Sequence, residues 1–158
     1  MTRTFFVTAS AYMKQNLFQK DETAQLFIST LLRYRDANEF SLHEFVVMPN
    51  HVHVLFSLEE GQPLGRAVQL IKGGFSHELR EAGLAMKAVW QPGYYDHRVR
   101  DAGEYWRIRN YIRENPVRRN LADNAEQWPF SSATWGDRLD KVPAGLKPAV
   151  IEADLTPA

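Results

Sequence analysis

The sequence predicts an α+β domain built on an antiparallel sheet, on three observations. Segments of alternating polarity rich in aromatic and β-branched residues interleave with helical apolar patterns in the order β, α, β, β, α, β, α. The two middle strands are separated only by Pro49-Asn50, a turn too short for anything but a hairpin. Pro116 closes the last helical pattern. This order is close to the split βαβ, or ferredoxin-like, arrangement, with helices packed mainly on one face. At 158 residues and 44% hydrophobic content, one such domain can bury a core without staples.

Taken in order, residues 4–10 read as a first strand, with Phe5 and Val7 alternating with Phe6 and Thr8. Asp21 is suited to cap a helix running to about Ala37, whose apolar stripe is Ala24, Phe27, Ile28, Leu31 and Leu32. Residues 40–48 and 51–58 are the hairpin. In its second strand Val52, Val54 and Phe56 face one way and His51, His53 and Leu55 the other. After Gly61-Gln62-Pro63, the spacing of Leu64, Val68, Ile71, Phe75 and Leu79 predicts a helix up to Gly83. Gly73-Gly74 inside it implies a bend or a close backbone approach. Residues 89–91 and 94–100 read as short strands flanking Pro92-Gly93, and residues 102–115 as a helix that stops before Pro116, with Tyr105, Ile108 and Ile112 inward. Residues 1–136 form the expected domain; residues 137–158, rich in Pro and Ala with little periodicity, are expected to be a partly disordered tail.

The chain has no cysteine, which removes disulfides, Cys-based zinc sites and thiol nucleophiles, and fits a reducing compartment. No segment reads as a secretory signal or reaches membrane-spanning length, so the expectation is a cytoplasmic protein with no membrane partner. Charge balances at 19 basic against 19 acidic residues, against an unselective polycation. The distribution is uneven: Arg98, Arg100, Arg107, Arg109, Arg113, Arg118 and Arg119 face only Asp101, Glu104 and Glu114 in the same stretch. Such a stripe is either a solvated helix face or, since guanidinium grips two oxygens at once, a phosphate-binding surface.

His51 and His53 lie two apart on one strand face, with Cα atoms about 7 Å apart, from which two imidazoles can converge on one ion. A third donor must come from elsewhere. Tyr111 and Asn115, four apart on one helical face, offer a hydroxyl and a hard amide oxygen suited to Mg²⁺ or Mn²⁺; each also has an ordinary reading, packing for the tyrosine and helix termination for the asparagine. His-Val-His also brings the histidine-triad nucleotide hydrolases to mind, but their third histidine falls on Leu55 here. There is no Gly-rich phosphate loop.

Taken jointly, ordered blocks are more specific. Met48-Pro49-Asn50-His51-Val52-His53-Val54-Leu55, then Trp90-Gln91-Pro92-Gly93-Tyr94-Tyr95-Asp96-His97-Arg98-Val99-Arg100, Tyr111-Ile112-Arg113-Glu114-Asn115-Pro116-Val117-Arg118 and Trp128-Pro129-Phe130-Ser131-Ser132-Ala133 resemble the REP-associated tyrosine transposases. These are a branch of the HUH single-tyrosine, IS200-like transposase superfamily. The resemblance implies that His51, His53 and Asn115 are ligands to Mg²⁺ or Mn²⁺. It implies that Tyr111 is the nucleophile, forming a covalent 5′-phosphotyrosine link and releasing a 3′-hydroxyl that can rejoin DNA without ATP.

The implied substrate is single-stranded or hairpin DNA of the REP palindrome type, and the implied outcome is DNA transposition or rearrangement in the bacterial cytoplasm. Arg98, Arg100, Arg118, Arg119 and Lys72 are candidates for DNA backbone contacts. Tyr94 or Tyr95 could stack on unpaired bases, the other being expected in the core. His97 is open between a supporting hydrogen bond, a DNA contact and a structural role. A monomer and a homodimer are both compatible, and a domesticated hairpin-binding protein that no longer cuts is the alternative function.

Overall fold

A computed structural model describes residues 1–84 and 86–147. They form strands β1 (Arg3–Ser10), β2 (Ser41–Met48), β3 (His51–Leu58) and β4 (Tyr95–Val99), and helices α1 (Asp21–Asp36), α2 (Leu64–Glu81) and α3 (Ala102–Arg118). The sheet is antiparallel throughout in the order β2-β3-β1-β4, with the hairpin closed at Met48 opposite His51 and the two central strands meeting at Ser10 opposite His51. This is the expected α+β, ferredoxin-like order. Residues 89–91 contribute only a bridge from Trp90 to Ala11 rather than a strand.

Two cores lie on the two faces of the sheet. On one, Val52, Val54 and Phe56 of β3 and Phe5 and Val7 of β1 pack against Phe27, Ile28 and Leu31 of α1 and Val68, Ile71 and Phe75 of α2. On the other, Val46, Met48 and Leu55 meet Tyr105 and Ile112 of α3. The tight packing of the first core explains one glycine of the α2 pair. The helix continues unbroken through it, and a Cβ on Gly74 would lie 2.5 Å from the Tyr34 hydroxyl of α1, so Gly74 marks a close helix crossing rather than a bend, while a Cβ on Gly73 would meet open space.

Two expected boundaries shift for identifiable reasons. Asp21 is the first residue of α1 rather than its cap; Lys20 takes the cap position with no side-chain bond, and Asp21 instead lies in the first turn, where a carboxylate suits the helix dipole. Helix α3 does not stop at Asn115 but runs through Pro116 to Arg118. A proline near a helix end gives up only one amide bond, and Pro116 is buried with Asn115 and Ile112. The actual stop is Asn120, with a left-handed φ of 59°, after which Leu121 N–H bonds to Pro116 C=O at 2.8 Å. Helices α1 and α2 end by the same device at Asn38 and Gly83.

Residues 137–147, expected to begin a loose tail, are packed onto the domain; residues 148–158 of that expected tail lie outside the described residues. Asp140 accepts from Leu42 N–H at 2.8 Å and from both Arg35 Nε and Nη2, while its own N–H bonds to Leu42 C=O. Val47 N–H bonds to Phe130 C=O and Trp128 Nε1–H to Val47 C=O. The stretch from Trp128 to Asp140 therefore satisfies the outer edge of β2, which would otherwise offer unpaired amides to another chain.

Burial works against the Asp140 carboxylate, but the Arg35 and Leu42 bonds outweigh it and hold the carboxyl below its usual range. The stability it contributes is therefore fully present above the unfolded value near 4 and lost as pH falls through the folded value. Asp140→Asn should lower the melting temperature at pH 7 and flatten that acid-side loss, with the two proteins converging at low pH in thermal melts; parallel curves at every pH would contradict this.

Candidate active site

The tight turn after Met48 delivers His51 and His53 to the α3 face of the sheet, where their ring centroids are 4.8 Å apart. Each is oriented through Nδ1. His51 Nδ1 lies 2.7 Å from Asn50 Oδ1, and since an amide oxygen only accepts, Nδ1 carries the proton and Nε2 keeps a lone pair. His53 Nδ1 lies 2.7 Å from the Thr8 hydroxyl of the neighbouring strand. Its Nε2 is buried with no hydrogen-bond partner.

Helix α3 crosses above. Tyr111 sets its ring 5.4 Å from that of His53, with Phe6 completing the cluster at 5.4 Å from His53 and 6.2 Å from Tyr111. One turn on, Asn115 is 2% exposed and its Oδ1 is buried without a partner. A buried unbonded polar atom costs about 1–3 kcal/mol. Among the described residues such side-chain atoms occur at His53, Asn115 and the Trp106 indole, so two of the three belong to the residues expected to bind a metal. No group of three or more His, Cys, Asp or Glu gathers to hold an ion among the described residues; the set here is two imidazoles and an amide.

Burial, then the positive charges of Arg119 and Lys14, push His51 down to about 4; burial, then His51 and Arg119, push His53 down to about 3. Both imidazoles are therefore neutral at pH 7, the state in which nitrogen can be a ligand. Arg118 lies over the Tyr111 ring, its guanidinium 5.1 Å from the centroid. Arg118 and Arg119 are thus beside the cluster. Arg98 and Arg100 are not: β4 carries them to the opposite end of the sheet, where they line a separate hollow with Arg3 and residues 143–146. Lys72 is engaged with the chain itself, donating to Gln91 C=O at 3.1 Å and Gly93 C=O at 2.8 Å, and so holds the loop before β4.

Tyr94 and Tyr95 are both exposed, which corrects the expectation that one lies in the core; β4 is an edge strand and Tyr94 falls in the loop before it. His97 pairs with Glu104 at 2.8 Å, and Glu104 also accepts from Arg100 N–H, so this histidine braces the entry to α3.

Sequence reasoning missed what holds α3 down. Glu44, buried in β2, accepts from Arg113 Nε at 2.8 Å and Nη2 at 3.2 Å and from the Ser132 hydroxyl at 2.6 Å, with Arg109 3.8 Å away. Arg113 lies between Tyr111 and Asn115 in sequence, so this clamp fixes the turn that carries both. The available signals were a lone carboxylate in the apolar run of β2 and two arginines four apart on α3.

Because His53 is buried, His51 half-buried and both are held neutral, the unfolded chain binds protons that the folded chain does not, from about pH 6.5 down to about 3. Stability without metal should fall as pH drops through that window. His53→Gln should retain more of its pH 7 stability at pH 4.5 than the parent does, measured by urea unfolding; an equal proportional loss in both would contradict the buried neutral assignment.

Comparisons to known proteins give the family and the fold. The family model described as "Transposase IS200 like" matches residues 5–115. A REP-associated tyrosine transposase of Escherichia coli K12 is 28% identical over 109 residues, covering 68% of this chain and 63% of that protein. An uncharacterised protein of Haemophilus influenzae is 29% identical over 143 residues, covering 72% of this chain and 79% of that protein. Among solved structures, the REP-associated tyrosine transposase bound to a REP hairpin superposes with a TM-score of 0.71 at 24% identity, covering 92% of this chain and 88% of that one. With the family model spanning the sheet, the histidine pair and α3 as far as Asn115, the chain belongs to the IS200-like transposase family.

Proposed function

We propose that this chain cuts and rejoins single-stranded DNA beside a hairpin of the REP palindrome type, through a covalent bond between Tyr111 and a 5′ phosphate. The observation that carries the reading is the pair of buried, unpartnered atoms, His53 Nε2 and Asn115 Oδ1, next to a tyrosine on the same helix as the asparagine. Similarity to a transposase structure solved with a REP hairpin suggests the DNA. His51, His53 and Asn115 would hold a divalent cation, Mg²⁺ or Mn²⁺, which when bound supplies positive charge to the phosphate oxygens and polarises the phosphorus.

The chain's own residues do the rest. The Tyr111 oxygen attacks phosphorus, the bond to the 3′ oxygen breaks, and that oxygen leaves as a 3′-hydroxyl after taking up a proton. One phosphodiester is exchanged for another, so the 3′-hydroxyl can later attack the tyrosyl ester and rejoin the strand. Arg118 and Arg119 contribute positive charge where the phosphates gather. His51 and His53, neutral at pH 7, serve as lone-pair donors rather than proton carriers. Tyr111 lies beside His53 within one chain, which supports a site complete in a single subunit, and the setting is the bacterial cytoplasm where the DNA lies.

The test is incubation with labelled hairpin oligonucleotides bearing single-stranded flanks, with Mg²⁺ or Mn²⁺, followed by denaturing electrophoresis. The expected result is a protein–DNA adduct that chelator and His51→Ala abolish. Tyr111→Phe should lose the adduct and slow cleavage by about a thousandfold or more, while hairpin binding persists. Cleavage unchanged in Tyr111→Phe would overturn the assignment. Tight binding by the parent without cleavage of any REP-type hairpin would identify a hairpin-binding protein that no longer cuts.

A further inference from the structure

Helix α3 covers only part of its side of the sheet. It packs over Val46, Met48 and Leu55, on β2 and β3, and although Val99 at the far end of β4 is buried with them, the same face is less covered around Phe6 and Thr8 of β1 and Tyr95 of β4. Two aromatic rings lie there. Phe6 is half-buried, Tyr95 is 58% exposed, and their centroids are 6.1 Å apart at 72°, forming a corner with an open side. Both face the same way as Thr8 and His53, because Thr8 is paired with Tyr95 on one side and with His53 on the other. A hollow of about 560 Å³ adjoins the corner, lined by Phe6, Ile108, Tyr111, Asn110, Arg107 and Arg118. Neither Arg107 nor Arg118 has an ion-pair partner among the described residues, although Glu104 and Glu44 on the same face are each paired with other groups.

An exposed tyrosine against a half-buried second ring gains little from folding, since much of its apolar surface stays in water. It is well explained by a planar partner. Unpaired nucleobases stack on aromatic rings whatever their identity, while unpaired arginines hold the backbone that carries them. The hollow shares Tyr111 with the candidate active site and includes none of His51, His53 or Asn115, so it adjoins the nucleophile rather than the ligand set.

We propose that the Phe6–Tyr95 corner is the seat for one unpaired base of single-stranded DNA, that of a nucleotide adjoining the phosphate presented to Tyr111, with Arg107 and Arg118 holding its backbone. The position relative to the cut rests on the strand-cleaving reading above; the seat itself does not. Its function is to splay the strand at the cut site so that the phosphate reaches the tyrosine. Phe6 also stacks on His53 at 26°, so the occupied seat and the histidine share one ring.

The test uses hairpin oligonucleotides in which a single abasic nucleotide is stepped along the single-stranded flank. Their affinities are measured for Tyr111→Phe protein, alone and combined with Tyr95→Ala or Tyr95→Phe. Tyr95 is exposed, so these changes should leave the melting temperature nearly unchanged. Removing one particular base should weaken binding about 5- to 150-fold, the range of base–aromatic stacking. That penalty should vanish with Tyr95→Ala and return with Tyr95→Phe, and the base should adjoin the cut mapped from the parent's covalent adduct. An abasic penalty equally large with Tyr95→Ala, or no position with a penalty at all, would overturn the seat even if adducts form. A Tyr95-dependent position without any adduct from the parent would leave the seat standing and refute cleavage.

Discussion

The arrangement depends on one buried carboxylate. Glu44 lies inside β2 among apolar neighbours, and a charge so placed is tolerated only if its oxygens are occupied. Arg113 from α3 and Ser132 from the segment past α3 occupy them, and Arg109 adds a second guanidinium nearby. The same contact therefore anchors a helix to the sheet and pins the chain that seals the sheet's edge. Removing the arginine would leave the buried carboxylate short of partners, a strongly destabilising change, and so the pair keeps α3 in one place. A helix fixed at Arg113 is fixed at Tyr111 and Asn115, half a turn to either side.

The two faces of the sheet divide the work. The α1 and α2 face carries a continuous apolar core with little polar interruption, and supplies rigidity. The α3 face contains the polar residues that packing alone would exclude: Glu44 paired, His53 and Asn115 each with an atom unbonded. Those unbonded atoms oppose folding, and the rigid opposite core is what allows them to persist. The proposed DNA site lies where α3 leaves the sheet partly open, beside Phe6 and Tyr95.

Much of this could be read from residues whose effects are local. Strand β3 begins at His51 because Pro49-Asn50 fits only a hairpin turn, and period-two alternation then places both histidines on one face. Tyr111 and Asn115 share a face by helical spacing alone. What could not be read depended on partners distant in sequence. Pro116 looks like a stop locally, but tertiary packing of Ile112 and Asn115 carries the helix past it to Asn120. Lys72 looks like a free cation until the loop before β4 closes on it. Arg98 and Arg100 look continuous with Arg118 in the chain, yet β4 and α3 run back along each other and separate them to opposite ends of the sheet. Glu44 looks like an interruption of a strand until Arg113 and Ser132 arrive from 69 and 88 residues away.

We propose that Asn115 of α3 joins His51 and His53 of the same chain in a single ligand set, a reading supported by the unpartnered Asn115 Oδ1 and His53 Nε2. The most direct measurement is Mn²⁺ titration followed by water-proton relaxation, comparing the parent with Asn115→Ala in the absence of DNA. Loss of a protein ligand should weaken Mn²⁺ by about tenfold or more in Asn115→Ala while its fold persists. Equal affinity in the two proteins would contradict the account.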